Sequence, residues 1–362
     1  MIEPAPLQQI NRTQVLFEGR HWIYFGGCDY FRLSSDPRVH QAARAALSKF
    51  GLNVAASRLT TGNHKLYGQL ESALVRFFDV ESATLVSTGY ATNLVAAQAL
   101  AGTVSAAFLD ARAHPSLTDA AKFLGCPVRT FAHRDPADLR KKVARQKSRV
   151  IVLTDGLFAH DGACAPLPEY LQLLPPASRI LLDDAHGAGV LGRLGRGTPE
   201  HYGLSDARLI QTLTLSKAFG AYGGAILADD TLRAKLRASG IFAGSTPLPL
   251  PLAAAALRSL NLLRQNPQWR RRLSEKAARF RDTLTRHGVG TVSSPGPIIP
   301  IIPSSPQRAK KLERALRRHR IFPPFIRYPG GPPGGYFRFA ISSQHSGTEM
   351  QALADAIVEG VA

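Results

Sequence analysis

Cysteine is nearly missing from this chain. Its 362 residues hold three, Cys28, Cys126 and Cys164, and these form no CxxC pair and no metal-ligand spacing. That excludes a small disulfide-stapled fold and fits reduced thiols in a cytoplasm. Acidic residues are scarce too: 26 Asp and Glu face 45 Lys and Arg, a balance of +19. No long apolar run occurs. The longest, Leu248 to Leu257, is short and broken by Pro249 and Pro251, so no membrane span is expected. The first residues, Met1-Ile2-Glu3-Pro4-Ala5-Pro6, lack the basic and apolar parts of a signal peptide, which makes a cytoplasmic location the expectation. Repeats at solenoid periods are absent as well. What is present is ordinary for a folded soluble protein: 44% hydrophobic and 20% charged residues, which excludes a disordered chain.

The charge is the outlier, and it invites a nucleic-acid or other anionic partner. Its distribution favours a solvated basic surface instead. Basic residues fall in small clusters, Arg140-Lys141-Lys142, Arg270-Arg271-Arg272 and Arg317-Arg318-His319-Arg320, with no basic tail. No nucleic-acid partner is therefore expected.

The middle of the chain alternates β-rich and helical runs. Ala83 to Ser87, Ala106 to Leu109, Arg149 to Thr154, Arg179 to Asp183, Leu209 to Leu213 and Ala225 to Ala228 read as strands. The RVIVLT and RILLD runs are continuously apolar, as strands buried on both faces are. Helices are expected at Ala91 to Ala101, Ser116 to Leu124 and Pro136 to Arg145, the last capped by Asp135. This alternation predicts an α/β fold with a mostly parallel central sheet flanked by helices. After about residue 245 the texture changes. An alanine-rich helix (Leu252 to Leu263) and a basic amphipathic helix (Trp269 to His287) come first. A proline-rich stretch (Pro295 to Pro306), a Pro/Gly loop (Pro323 to Gly335), a strand (Tyr336 to Ile341) and a final helix (Thr348 to Val358) follow. The division expected is a short N-terminal segment (1–35), a large α/β domain (36–245) and a smaller C-terminal α+β domain (246–362).

Ligands of such sheets sit beyond the carboxyl ends of the strands, and three segments lie there. Asp183-Asp184-Ala185-His186 follows RILL, Thr214-Leu215-Ser216-Lys217-Ala218-Phe219-Gly220 follows LIQTL, and Ser87-Thr88-Gly89-Tyr90-Ala91-Thr92-Asn93 joins a strand to a helix N-terminus. Singly, each has a plain structural reading: a surface lysine, a capping aspartate, a Gly-Tyr turn. Together they supply what pyridoxal 5'-phosphate (PLP) chemistry needs. An aldehyde cofactor needs a lysine, Lys217. Its ring nitrogen needs a carboxylate, Asp183, so that the ring can act as an electron sink. Its phosphate needs helix N-terminal amides and hydroxyls, here Gly89, Tyr90, Thr214 and Ser216. His186 lies three residues after Asp183, in reach of the ring's phenolic oxygen.

These motifs resemble those of the α-oxoamine synthases, a family of fold-type I PLP enzymes. Leu182 to Gly192 with Gly195-Arg196-Gly197 resembles the family's aspartate–histidine motif, and Thr214 to Gly220 its Schiff-base lysine motif. Phe131-Ala132-His133-Arg134-Asp135, and Thr154 to Gly162 with Ala165-Pro166-Leu167, also resemble it; the likeness runs from about Tyr24 to the C-terminus. The resemblance implies that His114, in Asp110-Ala111-Arg112-Ala113-His114, stacks on the cofactor and touches substrate. It implies that Arg338, with His345 seven positions on, binds the amino-acid carboxylate, a task suited to a bidentate guanidinium; a solvent-facing arginine on an alternating strand is the rival reading. Ser245 and Thr246 resemble the hydroxyl pair that reaches the cofactor phosphate of a neighbouring subunit, which implies a homodimer with shared sites.

The implied reaction is a decarboxylative condensation of a small amino acid, alanine favoured, with an acyl-CoA or acyl thioester, a pimeloyl type favoured. Lys217 removes the α-proton, Asp183 supports the ring, and His114 donates to the developing oxyanion. The product is an α-amino ketone, with coenzyme A and carbon dioxide leaving. Alternatives are another fold-type I PLP enzyme (a glycine C-acetyltransferase-like enzyme, an aldolase or a decarboxylase) or a non-catalytic partner subunit. The retained Lys217 weighs against the last. No metal ligand is expected.

The sequence departs from the family at four places. Cys28 replaces the usual Asn ahead of Asp29-Tyr30, and as a substrate-binding residue it is a poor donor. Ala159 stands for a Ser that bonds the phenolic oxygen. Tyr67 stands for a His before Leu70-Glu71. The N-terminal helix that helps bind acyl-CoA is not read ahead of Tyr24. Most of these fall on the substrate side.

Overall fold

A computed structural model describes residues 6–144, 146, 149–327 and 331–361. Its centre is a seven-stranded sheet of order β4-β10-β9-β8-β7-β5-β6. The strands are β4 (Ser82–Val86), β5 (Ala106–Asp110), β6 (Val128–Phe131), β7 (Val150–Asp155), β8 (Arg179–Asp183), β9 (Leu209–Thr214) and β10 (Gly224–Ala228). β5 to β9 pair in parallel, while β10 runs antiparallel to both β9 and β4. The apolar runs are two-faced, as their composition demands. Along β7, Ile151 and Leu153 enter one core and Val150 and Val152 the other, a period of two across the pleat.

Helices cover both faces. α3 (Gly89–Ala99) and α4 (Pro115–Ala121) bring Val95, Ala96 and Leu117 to the first core. α5 (Pro136–Val143) and α6 (Leu167–Leu173) bring Leu139 and Tyr170 to the second. Asp135 caps α5 by accepting from the Ala137 and Asp138 amides. Arg145, the expected end of that helix, lies outside the described residues. A short α7 (Thr198–His201), then α8 (Asp230–Ala238) and α9 (Gly240–Gly244), complete this part of the chain.

Before the sheet come β1 (Gln8–Gln9), β2 (Gln14–Phe17) and β3 (Arg20–Ile23), then α1 (Pro37–Phe50) and α2 (Lys65–Phe78). After it come α10 (Leu250–Gln265), α11 (Gln268–Arg286), β11 (Ile298–Ile301), α12 (Pro306–Arg318), β12 (Phe325–Ile326), β13 (Tyr336–Ala340) and α13 (Gly347–Val361). The two ends of the chain meet. Ile23 donates to Arg320 O at 2.8 Å, and Phe25 O accepts from Ala340 N at 2.7 Å, so the N-terminal segment lies against the small sheet β11-β13-β12. α10 packs on α1 and α2. The prolines of the 295–306 stretch find permitted places. Pro300 sits in β11, an edge strand, and Pro306 opens α12 behind its Ser305 cap. Of the Pro/Gly loop, residues 328–330 lie outside the described residues.

A buried ion pair joins the early helices to the sheet. Arg58 donates to Glu71 at 2.6 Å, with their side chains 7% and 5% exposed. Glu71 also accepts from Leu85 N and from Arg237. Removing one partner strands the other charge in a poor solvent, typically at about 3–5 kcal/mol. Glu71→Ala should therefore lower unfolding stability by about 3 kcal/mol in a urea titration; a loss below about 1 kcal/mol would show the pair to be solvated.

Candidate active site

A cavity of about 200 Å³ opens at the carboxyl ends of the parallel strands. Thr88, Gly89, Tyr90, His114, Ser116, Asp155, Asp183, His186, Thr214, Ser216, Lys217 and Tyr222 are among the residues around it. The three segments read from the sequence therefore converge. α3 starts here, with Thr88 accepting from Ala91 N and leaving the amides of its first turn facing the cavity end of β4. Gly89 is fixed by close approach: a Cβ there would lie 2.6 Å from Thr214 Cβ. Thr214 and Ser216 stand side by side, their hydroxyl oxygens 2.8 Å apart.

Asp183 closes β8 with 8% exposure. One carboxylate oxygen accepts from Asn93 Nδ2 at 2.7 Å and lies 3.4 Å from Ser116 Oγ; the other accepts from Ala185 N at 3.1 Å. Asn93 is itself fixed, donating to Ser116 Oγ at 2.8 Å and accepting from Thr212 Oγ1 at 2.7 Å. Beside it Asp155 accepts from His114 N at 2.8 Å. Burial, and then the neighbouring Asp183, hold the Asp155 carboxyl well above the usual range.

Lys217 Nζ lies 2.8 Å from His186 Nε2, and His186 Nδ1 lies 2.6 Å from the Tyr30 hydroxyl. Burial lowers the Lys217 pKa. Burial, then the charges of Lys217 and Arg338, hold His186 well below the ordinary histidine value, so its ring is neutral. Cys28 and Arg338 are close enough to act electrostatically on Lys217. Arg338, on β13, thus brings the small sheet to the site. His114 caps α4: its Nδ1 accepts from Ser116 N at 3.2 Å and pairs with Ser116 Oγ at 2.7 Å, which leaves Nε2 as the protonated nitrogen. Tyr90 sets its ring 6.0 Å from that of His114 and donates to Asp119.

Not every expected residue comes here. Ser245 and Thr246 face a separate crevice with Arg58, Tyr67 and Leu248, and Ser245 Oγ donates to Ile241 O. His345 is buried and turned to Tyr24 O, 3.1 Å from its Nε2. Asn93, Ser116, Asp155 and Tyr30 belong to the site without having been singled out by type. Asn93 and Asp155 lay inside recognised motifs, and a polar residue one helical turn beyond Gly89-Tyr90 was the available signal for Asn93.

The model of the class I and II aminotransferases matches residues 20–357. A putative 8-amino-7-oxononanoate synthase of Acetivibrio thermocellus is 35% identical, covering 95% of this chain and 90% of its own length. The 8-amino-7-oxononanoate synthase of Stutzerimonas stutzeri is 33% identical over 98% and 91%. The chain belongs to the class I and II aminotransferase family, among its α-oxoamine synthases. The serine palmitoyltransferase of Sphingomonas wittichii superposes with a TM-score of 0.91 at 27% identity, over 98% of this chain and 90% of that one. The fold is that of a fold-type I PLP-dependent transferase. The cavity fits that cofactor on its own evidence. A glycine leaves a cradle that a Cβ would fill, the cradle is edged by amides and hydroxyls, and a buried carboxylate and a half-buried lysine face the same space. Gly89→Ala should displace Thr214 and weaken PLP binding about tenfold, roughly 1.4 kcal/mol. Titration of apoenzyme with PLP measures it, and unchanged affinity would show the close approach to be idle.

Proposed function

We propose that this family member condenses L-alanine with a pimeloyl thioester, releasing coenzyme A and carbon dioxide, as an 8-amino-7-oxononanoate synthase of biotin synthesis. Full-length likeness to relatives of that name carries the choice of substrates. The retained Lys217–His186–Tyr30 line carries the catalytic competence.

PLP bound here supplies an electrophilic carbon and an electron sink. Lys217 would hold its aldehyde carbon, Asp183 its ring nitrogen and His114 its ring face. The amides of Gly89 and Tyr90, with the hydroxyls of Thr214 and Ser216, would hold its phosphate. The remaining work belongs to the chain. Burial eases Lys217 toward the free amine, whose Nζ can take the α-proton of the amino acid. Neutral His186 shares a hydrogen with Tyr30 and so offers Lys217 a partner without adding charge. His114 Nε2–H can donate to a developing oxyanion, because Nδ1 is already committed to Ser116. Arg338 supplies the cation for the substrate carboxylate. The active form is a homodimer in which Ser245 and Thr246 serve the neighbouring subunit's phosphate site, in line with their place outside the chain's own cavity. Among the described residues no helix is long and apolar enough to cross a membrane, and we place the enzyme in the cytoplasm.

Holoenzyme mixed with L-alanine and pimeloyl-CoA should release coenzyme A, and Lys217→Ala should reduce release to background. A screen of small amino acids and acyl donors that yields none with any pair would overturn the acyltransfer reading in favour of an aldolase or decarboxylase. Arg338→Ala should raise the KM for the amino acid roughly a hundredfold, the scale of a lost charge-assisted pair; an unchanged KM would place the carboxylate elsewhere. Co-expression of Lys217→Ala with a Ser245→Ala/Thr246→Val chain should restore activity through mixed dimers. Failure to restore it, with dimers present, would confine these hydroxyls to their own subunit.

A further inference from the structure

Two recognised motifs remain unused by this chemistry: the segment after β6 that contains His133 and the loop after β7 that contains His160-Asp161. The fold brings them together away from the PLP cavity, whose lining includes none of the three. His133 Nε2 lies 2.9 Å from Asp161 Oδ2, and His160 Nε2 lies 3.5 Å from the same oxygen. The two ring centroids are 5.1 Å apart. One donor atom from each residue falls within 4.8 Å of the others.

We propose that His133, His160 and Asp161 form a binding site for a divalent transition-metal cation of the zinc type. Three observations carry this. First, the donor set is two imidazoles and a carboxylate, and tetrahedral zinc bonds of about 2.0–2.2 Å set neighbouring donors roughly 3.3 Å apart, a spacing the 2.9 and 3.5 Å contacts bracket. Second, His160 is 6% exposed and its Nε2 has no hydrogen-bond partner among the described residues. A buried ring nitrogen aimed at a shared carboxylate without a bond is costly unless something binds between them. Third, His133 Nδ1 pairs with Asp110 Oδ1 at 2.8 Å. That is the carboxylate–histidine arrangement that fixes a metal ligand's tautomer and leaves Nε2 for the ion.

The charges around the cluster agree. Asp110 and Asp161 face it, while the nearby Arg112 is exposed. Burial, the largest influence on His160, takes its pKa down to about 4, so its ring is unprotonated and able to ligate. For His133 burial acts downward, but the carboxylates of Asp110 and Asp161 outweigh it and favour the charged ring. A metal ion would take the place of the Nε2 proton that His133 presents to Asp161, releasing that proton to solvent. Partial exposure of His133 and Asp161, 17% and 16% at the side chain, gives solvent ions an entry path. Occupied, the site would clamp the loop after β7 to the end of β6.

The test uses tag-free PLP-loaded protein, stripped with chelator and titrated with Co²⁺ as the spectroscopic probe, then with Zn²⁺ in competition. The expected result is one equivalent of Co²⁺ with visible ligand-field bands, lost on adding Zn²⁺, and a Zn²⁺-dependent rise in Tm. His160→Met removes the unpartnered Nε2, fills the ring's place beside Phe158 and His133 with an apolar side chain, and keeps the His133 contacts with Asp110 and Asp161, so the circular dichroism spectrum should match that of the parent. The variant should bind at least a hundredfold more weakly, without ligand-field bands. Absence of stoichiometric Co²⁺ and Zn²⁺ binding to the parent protein would overturn the proposal. So would His160→Met binding as tightly as the parent.

Discussion

Asp183 keeps a carboxylate only 8% exposed at the end of β8, and the cost of taking it out of water has to be met by hydrogen-bond donors. The fold supplies them from separate elements. Asn93 comes from the second turn of α3, anchored on Ser116 from the first turn of α4, and the Ala185 amide comes from the turn that follows β8. Asn93 is oriented by Thr212 on β9, the strand that also leads to Lys217. One carboxylate thus sets the relation of α3, α4, β8 and β9, which together are the walls of the cavity. Loss of any member would leave a buried polar group unsatisfied.

The same edge of the sheet has a wider electrostatic problem. Asp110, Asp155 and Asp183 end β5, β7 and β8, and in the pairing register Asp155 sits beside Asp183. Three solutions appear. Asp183 is surrounded by neutral donors and stays available to a ligand. Asp155 is pushed toward its protonated form by burial and by Asp183, with the His114 amide as its fixed contact. Asp110 is consumed by His133 and by the amides of Arg112 and Arg134. A neutral His186 between Lys217 and Tyr30 follows the same economy of charge: the lysine has a partner that does not compete with Asp183 for it.

Much of this was legible in the sequence because it is local. Strands buried on both faces are continuous apolar runs, and a motif at a strand's carboxyl end reads as one string, so Asp183, His186, Thr214, Ser216 and Lys217 could be placed from the chain alone. The β8 bounds match the expected Arg179 to Asp183, and β9 and β10 differ by one residue. What was illegible is what tertiary contact decides. β1 to β3 are short and β1 is exposed, and the N-terminal segment is held by Arg320 and Ala340, some three hundred residues away. α1 and α12 bury few residues and carry basic residues elsewhere, while α2 buries a charged residue, Glu71, among its apolar ones, so their composition alone does not mark them. Asn93 and Ser116 matter only because two helix starts converge on one oxygen, and no spacing in one dimension encodes that.

The departures from family pattern sort by the same logic. Tyr67, where a histidine was expected, is fully buried, donates to Leu248 O at 2.7 Å and sits 4.9 Å beneath the Arg58 guanidinium; it has been absorbed into the packing of α2 and is not among the residues lining the cavity. Cys28 is different, since it lies within electrostatic reach of Lys217 and Tyr30. A thiol there offers a weaker donor than an amide. The excess of basic residues also divides on inspection. Arg270 is 5% exposed and donates to Leu263 O and Arg193 O, Arg317 pairs with Glu313 and packs over Trp22, and Arg318 pairs with Glu359. Arg270 thus ties α11 to α10 and to the 193 turn, Arg317 ties α12 to β3, and Arg318 ties α12 to α13. The part of the +19 that remains on the surface attracts anions in general, an effect that salt should erode and to which a buried arginine such as Arg270 adds little.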